Sequence, residues 1–158
     1  MASASQATIN GDGNVSTHLA IFTQPFLDLL LDGQKTIESR FAKVRCAPHG
    51  CIRKGDRVLC KVSGGPIIGE FTAGKVLSFT NMFDATLDEI AKHYSTQICS
   101  DVDPNFWEAR KGKKYATLIF VESPRRLATP QPFHKRDKRG WVVLNVATQT
   151  YSLVGGNQ

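Results

Sequence analysis

Apolar and polar positions along this chain fall into short, sharply punctuated blocks, and most blocks alternate with the period of a β-strand. Leu19–Phe22 is an apolar run that predicts a strand. Phe26, Leu27, Leu30 and Leu31 then recur at helical spacing. Thr23 stands where a helix cap is wanted, Pro25 falls in the first turn where its missing N–H does no harm, and Gly33 is placed to stop the helix in a left-handed conformation. Lys35–Phe41 alternates again, and a Pro/Gly-bearing loop runs from Cys46 to Asp56. Arg57–Ser63 and Pro66–Phe79 follow as two strands joined by a tight Gly64-Gly65 turn. Thr86 and Glu89 have the spacing of a capping box, which predicts a helix from Thr86 with Leu87, Ile90, Ala91 and Tyr94 on its apolar face. A third, shorter helix is expected from Asp103-Pro104 to Gly112, carrying Phe106 and Trp107. Tyr115–Val121 and Trp141–Val146 are the last strands, with a basic, proline-bearing loop between them. Five or six short strands and two to three peripheral helices predict an α+β fold whose sheet curls into a small barrel.

Residues 1–17 carry almost no bulk or charge and read as a flexible leader; residues 148–158 read as a flexible tail, which leaves 18–147 as one domain. A 158-residue chain that is 41% hydrophobic has the material for one real core. No apolar run approaches the roughly 20 residues a membrane helix needs, and the N-terminus lacks a charged-then-apolar secretory pattern. The expectation is a soluble intracellular protein, cytoplasmic with the nucleus as the alternative, and no membrane partner. Cys46, Cys51, Cys60 and Cys99 form no CxxC pair, so a disulfide scaffold is not expected. Cys46-x-x-His49-x-Cys51 offers three ligand types but matches no structural zinc spacing, and neither a metal nor any other cofactor is expected.

A net charge of +6 favours an anionic partner, with RNA or a nucleotide ahead of a merely soluble basic surface. The basic residues cluster at Lys111, Lys113 and Lys114, at Arg125 and Arg126, and from His134 to Arg139. If the strands Tyr115–Val121 and Trp141–Val146 pair, some of these charges share one rim, and Trp107 and Tyr115 are the aromatics nearest to it for stacking bases. The same run also suits a solvated loop or a nuclear-import signal. In the strand Lys35–Arg40, Thr36, Glu38 and Arg40 share one face while Ile37 and Phe41 share the core face. Spacing alone leaves open whether that Glu–Arg pair lines a cleft or lies on a solvated surface.

Gly33-x-Lys35-x-x-Glu38-x-Arg40 resembles the GxKxxExR motif of the ASCH domain, a relative of the PUA fold. The surroundings are similar too: an apolar strand, a Gln-Pro-bearing helix, the motif, Lys54-Gly55-Asp56 opening a strand, and a later Gly69-Glu70-Phe71 strand. The resemblance spans about Leu19 to Val146 and implies a cleft at the barrel's edge that binds RNA or a nucleotide. It implies Lys35, Thr36, Glu38 and Arg40 as ligand residues, to which the pattern adds the Ser63-Gly64-Gly65 turn as an anion-approach site and Lys113, Lys114 and Tyr115 as a flanking rim. A second implication is hydrolysis. Some ASCH-like proteins are amidohydrolases on N4-acetylcytidine, using a lysine, a threonine three residues on and a distant glutamate. Lys35 fits, but Glu38 stands where the threonine is expected, and Glu108 is the nearest candidate for the glutamate. Other ASCH proteins are ribonucleases using lysine, tyrosine and serine, for which Tyr115 and Ser63 are the candidates here. In either case Lys35 and Glu38 are the acid–base candidates. A protein partner in transcription or translation control is the third implication.

Overall fold

The computed structural model describes residues 15–134 and 138–144. The strands are β1 (Thr17–Phe22), β2 (Ile37–Ala42), β3 (Arg57–Val62), β4 (Ile67–Thr80), β5 (Tyr115–Gln131) and β6 (Trp141–Leu144). Helix α1 (Phe26–Leu31) links β1 to β2, and α2 (Asp84–Ile98) links β4 towards β5. They build one sheet in the order β2-β5-β4-β3-β1-β6, in which β1 and β3 are parallel and the other pairs antiparallel. Register shifts along β4 bend its pairing with β5. The sheet curls into a half-barrel, so that Arg40 on edge strand β2 donates Nη2–H to the Ile21 carbonyl of β1 and Nη1–H to the Gly140 carbonyl beside β6.

Strand alternation sorts the side chains into layers. Ala20, Phe22, Val58, Cys60 and Phe71 face inward and receive Leu27, Leu30 and Leu31 from α1. A helix of one and a half turns has no stability of its own; burying each of those leucines, at about 1.5–3 kcal/mol apiece, is what holds it. Ile37, Ala116 and Leu118 form a second core with Leu87, Ile90 and Ile98 of α2. Leu19 and Leu59, on the opposite parity, make a smaller cluster with Ile67.

Several expectations are corrected. Helix α2 begins at Asp84 rather than Thr86: the Thr86 N–H already donates to the Phe83 carbonyl inside the first turn, and no side chain caps it. Thr23 does not cap α1; Pro25 holds the cap position and Gln24 Oε1 accepts from the Asp28 N–H at 3.0 Å. Gly33 does close that helix, at φ +87°. In place of a third helix the chain forms two 3-10 turns, Ser100–Val102 and Glu108–Arg110. Strand β5 does not end at Val121 but continues to Gln131, its polar second half pairing with the start of β4. Strands β5 and β6 are not neighbours: β5 lies between β2 and β4, and β6 pairs with β1.

His18, which the sequence leaves without a partner, is fully buried. Its Nδ1 accepts from Trp141 Nε1–H at 3.0 Å, which puts its own proton on Nε2, 2.9 Å from Asp56 Oδ2. Asp56 also accepts from the Arg53 and Ser16 N–H groups, so one carboxylate ties β1, β6 and the loop before β3 together. Residues 1–14 of the expected leader, the whole expected tail, residues 135–137 of the basic loop and the last two residues of the strand expected to reach Val146 lie outside the described residues. No helix among the described residues is long and apolar enough to cross a membrane.

Candidate functional site

Between β1, β2, α1 and the 3-10 turn at Glu108–Arg110 lies a cleft of about 380 Å³. Its floor is the motif. Lys35 follows Gly33 directly after α1 and is 2% exposed; its ammonium donates to the Ile37 carbonyl at 2.9 Å and the Ile98 carbonyl at 2.8 Å, and lies 3.3 Å from Glu38 Oε1. Glu38 is buried, with its other oxygen on Arg40 Nε. Arg40 is a bridge rather than a probe: beyond Glu38 it holds two main-chain carbonyls, and the Phe22 and Trp141 rings pack against its guanidinium, each with a centroid 5.0 Å away. Burial lowers the Lys35 pKa, and the Glu38 charge only partly offsets it. Burial acts to raise the Glu38 pKa, yet Arg40 first and Lys35 second, by charge and hydrogen bond, hold it below the ordinary carboxylate value.

The wall opposite is basic and aromatic. The Arg110 guanidinium lies 3.5 Å over the Phe106 ring and 5.5 Å from the Phe41 centroid, and Nη1–H donates to the Phe106 carbonyl at 2.8 Å. Burial pushes the Arg110 pKa down, with the Glu38 and Asp103 charges acting against it. Lys113 lines the same wall. The two are brought together by a type II turn: Lys111 sits at φ −60°, ψ 140°, Gly112 at φ +84°, and the Lys113 N–H closes on the Arg110 carbonyl at 3.2 Å. Phe22 and Phe26 complete the apolar lining, with Ser39 and Thr23 as the hydroxyls.

No family model matches the chain, and no curated protein matches its sequence. Solved structures do. The ASCH protein from Zymomonas mobilis superposes with a TM-score of 0.66 at 12% identity over 88% of this chain and 94% of that one. A point variant of it gives 0.67 at 13% identity over 88% and 96%. The chain has the ASCH fold. A hypothetical protein from Leishmania major is a more distant match, with a TM-score of 0.50 at 16% identity over 91% and 96% of the two chains. At such identities the likeness is one of fold.

Within the ASCH fold, the residues singled out from sequence divide. Lys35, Glu38, Arg40 and Lys113 line the cleft. Thr36 does not: its side chain is exposed, and its backbone is tied to Gln97 and Val121 because β2 begins only at Ile37. Ser63, Gly64 and Gly65 form the β3–β4 turn, where the two glycines border a separate hollow with Lys61, Pro132 and Phe133. Lys114 is exposed, its ammonium 5.7 Å over the Phe83 ring. Tyr115 packs on His49 at 5.2 Å and lines a neighbouring small pocket. Glu108 is exposed and pairs with Lys111. Trp107 is turned inward, its Nε1–H donating to the Ser95 and Ser100 hydroxyls at 3.1 Å. The basic rim dissolves too: Arg125 meets Glu70, and Arg126 meets Asp28 and Asp32. His49 points inward to Thr117 and Thr80 while Cys46 and Cys51 are exposed. Sequence reasoning missed Arg110 and the phenylalanines, although the run Arg110-Lys111-Gly112-Lys113 carries the turn signal in its glycine.

Proposed function

We propose that the cleft binds single-stranded RNA or a nucleotide. The observation that carries this reading is its lining: four cationic side chains, Lys35, Arg40, Arg110 and Lys113, against the one carboxylate of Glu38, with phenylalanine rings between them. A volume of about 380 Å³ is within the range of small-ligand sites. Net positive charge attracts phosphate, and flat apolar faces suit bases. The test is fluorescence anisotropy with a labelled mixed-sequence single-stranded RNA over a salt series. Binding at low salt that falls steeply as salt is added is expected; no binding, or a flat salt response, rejects the reading.

Hydrolysis in the same cleft is the second reading, favoured by a buried lysine of lowered pKa beside a buried glutamate. Binding stands ahead of it because a Lys35 acting as free base must give up one of its three contacts, to the Ile37 carbonyl, the Ile98 carbonyl or Glu38. Incubation with N4-acetylcytidine, and separately with RNA, beside a folded Lys35→Ala control separates the two. Turnover that vanishes in the control favours the enzyme.

A further inference from the structure

We infer that the phosphate of the ligand is held by Arg110 and Lys113, two residues outside the motif, while Lys35, Glu38 and Arg40 form a closed clamp that shapes the cleft without touching the phosphate. This rests on the nucleic-acid reading above and divides its labour. Lys35 spends its N–H groups on the Ile37 carbonyl, the Ile98 carbonyl and Glu38. Arg40 commits each of its three nitrogens, to Glu38, Gly140 and Ile21, and is covered by the Phe22 and Trp141 rings. A phosphate reaching Lys35 would have to displace one of its three contacts, and one reaching Arg40 would find only the second N–H of Nη1 and of Nη2, on a guanidinium already tied to β1 and Gly140.

Arg110 is in the opposite state. Only Nη1 has a partner among the described residues, the Phe106 carbonyl, and no carboxylate there lies within 4.0 Å of it. The Phe106 ring at 3.5 Å fixes the plane of the guanidinium and leaves its remaining N–H groups directed along that plane. The Lys113 ammonium has no partner among the described residues, and the type II turn brings the Lys113 backbone back to that of Arg110, with both side chains lining the same cleft. Several basic residues elsewhere on the surface are paired: Arg57 and Arg125 with Glu70, Arg126 with Asp28 and Asp32, Lys111 with Glu108. Both side chains line one wall of the cleft, and an anion bound there would gain charge-assisted hydrogen bonds from each. A planar fork beside a point charge is the combination that suits a phosphate.

The experiment measures affinity for the mixed-sequence single-stranded RNA against salt for wild type, Arg110→Ala, Lys113→Ala and, as a control on the outer face of α2, Lys92→Ala, with thermal melting to show that each is folded. Arg110→Ala and Lys113→Ala are each expected to weaken binding severalfold at low salt and to flatten the log–log salt slope by about 0.7, the value of one single-strand phosphate contact. Arg110→Lys should keep the slope and lose part of the affinity, since the charge remains while the stacked fork is gone. Lys92→Ala should match wild type. If both cleft variants keep the wild-type slope while wild type binds RNA, the anchor is wrong and the RNA reading stands. An equal loss in Lys92→Ala would mean diffuse surface attraction and overturn the anchor as well. Failure of wild type to bind at low salt removes both.

Discussion

Glu38 sits between two cations inside the protein, one carboxylate oxygen 3.3 Å from the Lys35 ammonium and the other on Arg40 Nε. Removing its charge leaves Lys35 in a site that is 2% exposed with only main-chain carbonyls for company. Breaking a buried pair by deleting one partner costs about 3–5 kcal/mol, so Glu38→Gln, which keeps the shape, is expected to destabilise by about 3 kcal/mol in urea denaturation at neutral pH. The sign of the pH dependence follows from the lowered folded-state pKa. Stability from Glu38 is fully present above the ordinary glutamate value and is lost as pH falls through the folded one. The gap between wild type and Glu38→Gln should therefore narrow in acid; a gap that stays constant there would show that the carboxylate is not charged in the fold. At this scale the sequence was informative about pairing and silent about saturation. Alternation along β2 puts Glu38 and Arg40 on one face, which is a local fact. That Arg40 spends its fork on the carbonyls of Ile21 and Gly140 depends on the curl of the sheet, and no local pattern carries that.

Elements were legible where their apolar rows face a core and illegible where pairing is made by polar residues. Strands β1, β3 and β4 follow their alternation closely, whereas the second half of β5 reads as a loop because most of its residues are exposed and it contains Ser123 at positive φ. What holds it is cross-strand pairing, with Arg125 opposite Glu70, which needs the partner strand to be known. The segment after α2 misled in the other direction: Phe106 and Trp107 suggest a helix face, but they are packed by 3-10 turns against Phe41. The turn at residues 110–113 is the element on which the proposed phosphate anchor depends. Gly112 has no neighbour that a Cβ would meet within 4 Å, so Gly112→Ala tests the backbone alone. At φ +84° the substitution should cost about 1 kcal/mol. RNA affinity should fall with it, because relaxing φ swings Lys113 away from Arg110. Wild-type melting temperature together with wild-type affinity would show that the turn does not set the site.

At the scale of the whole molecule, the half-barrel has an open seam between β2 at one edge and β1–β6 at the other, and Arg40 is the side chain that spans it. The Gly140 carbonyl accepts both from Arg40 and from the Ile21 N–H, so the entry into β6 is fixed from two sides. Among the described residues β6 pairs with β1 over four positions, and its hold is reinforced by Trp141, buried against His18 and Arg40. The motif arginine therefore acts on the fold as much as on the cleft, since the seam it closes is also one wall of the site. Arg40→Leu keeps apolar contact with Phe22 and Trp141 but takes one donor each from the Ile21 carbonyl, the Gly140 carbonyl and Glu38. The central β3–β4–β5 layer, whose pairing does not involve Arg40, should hold, while β6 loosens. Hydrogen exchange is expected to speed up at Val142–Leu144 well before it does in β3, with Trp141 fluorescence shifting towards that of a wetter indole. Protection of β6 equal to wild type would mean that Trp141, His18 and Asp56 close the seam without the arginine, and that Arg40 belongs to the ligand after all.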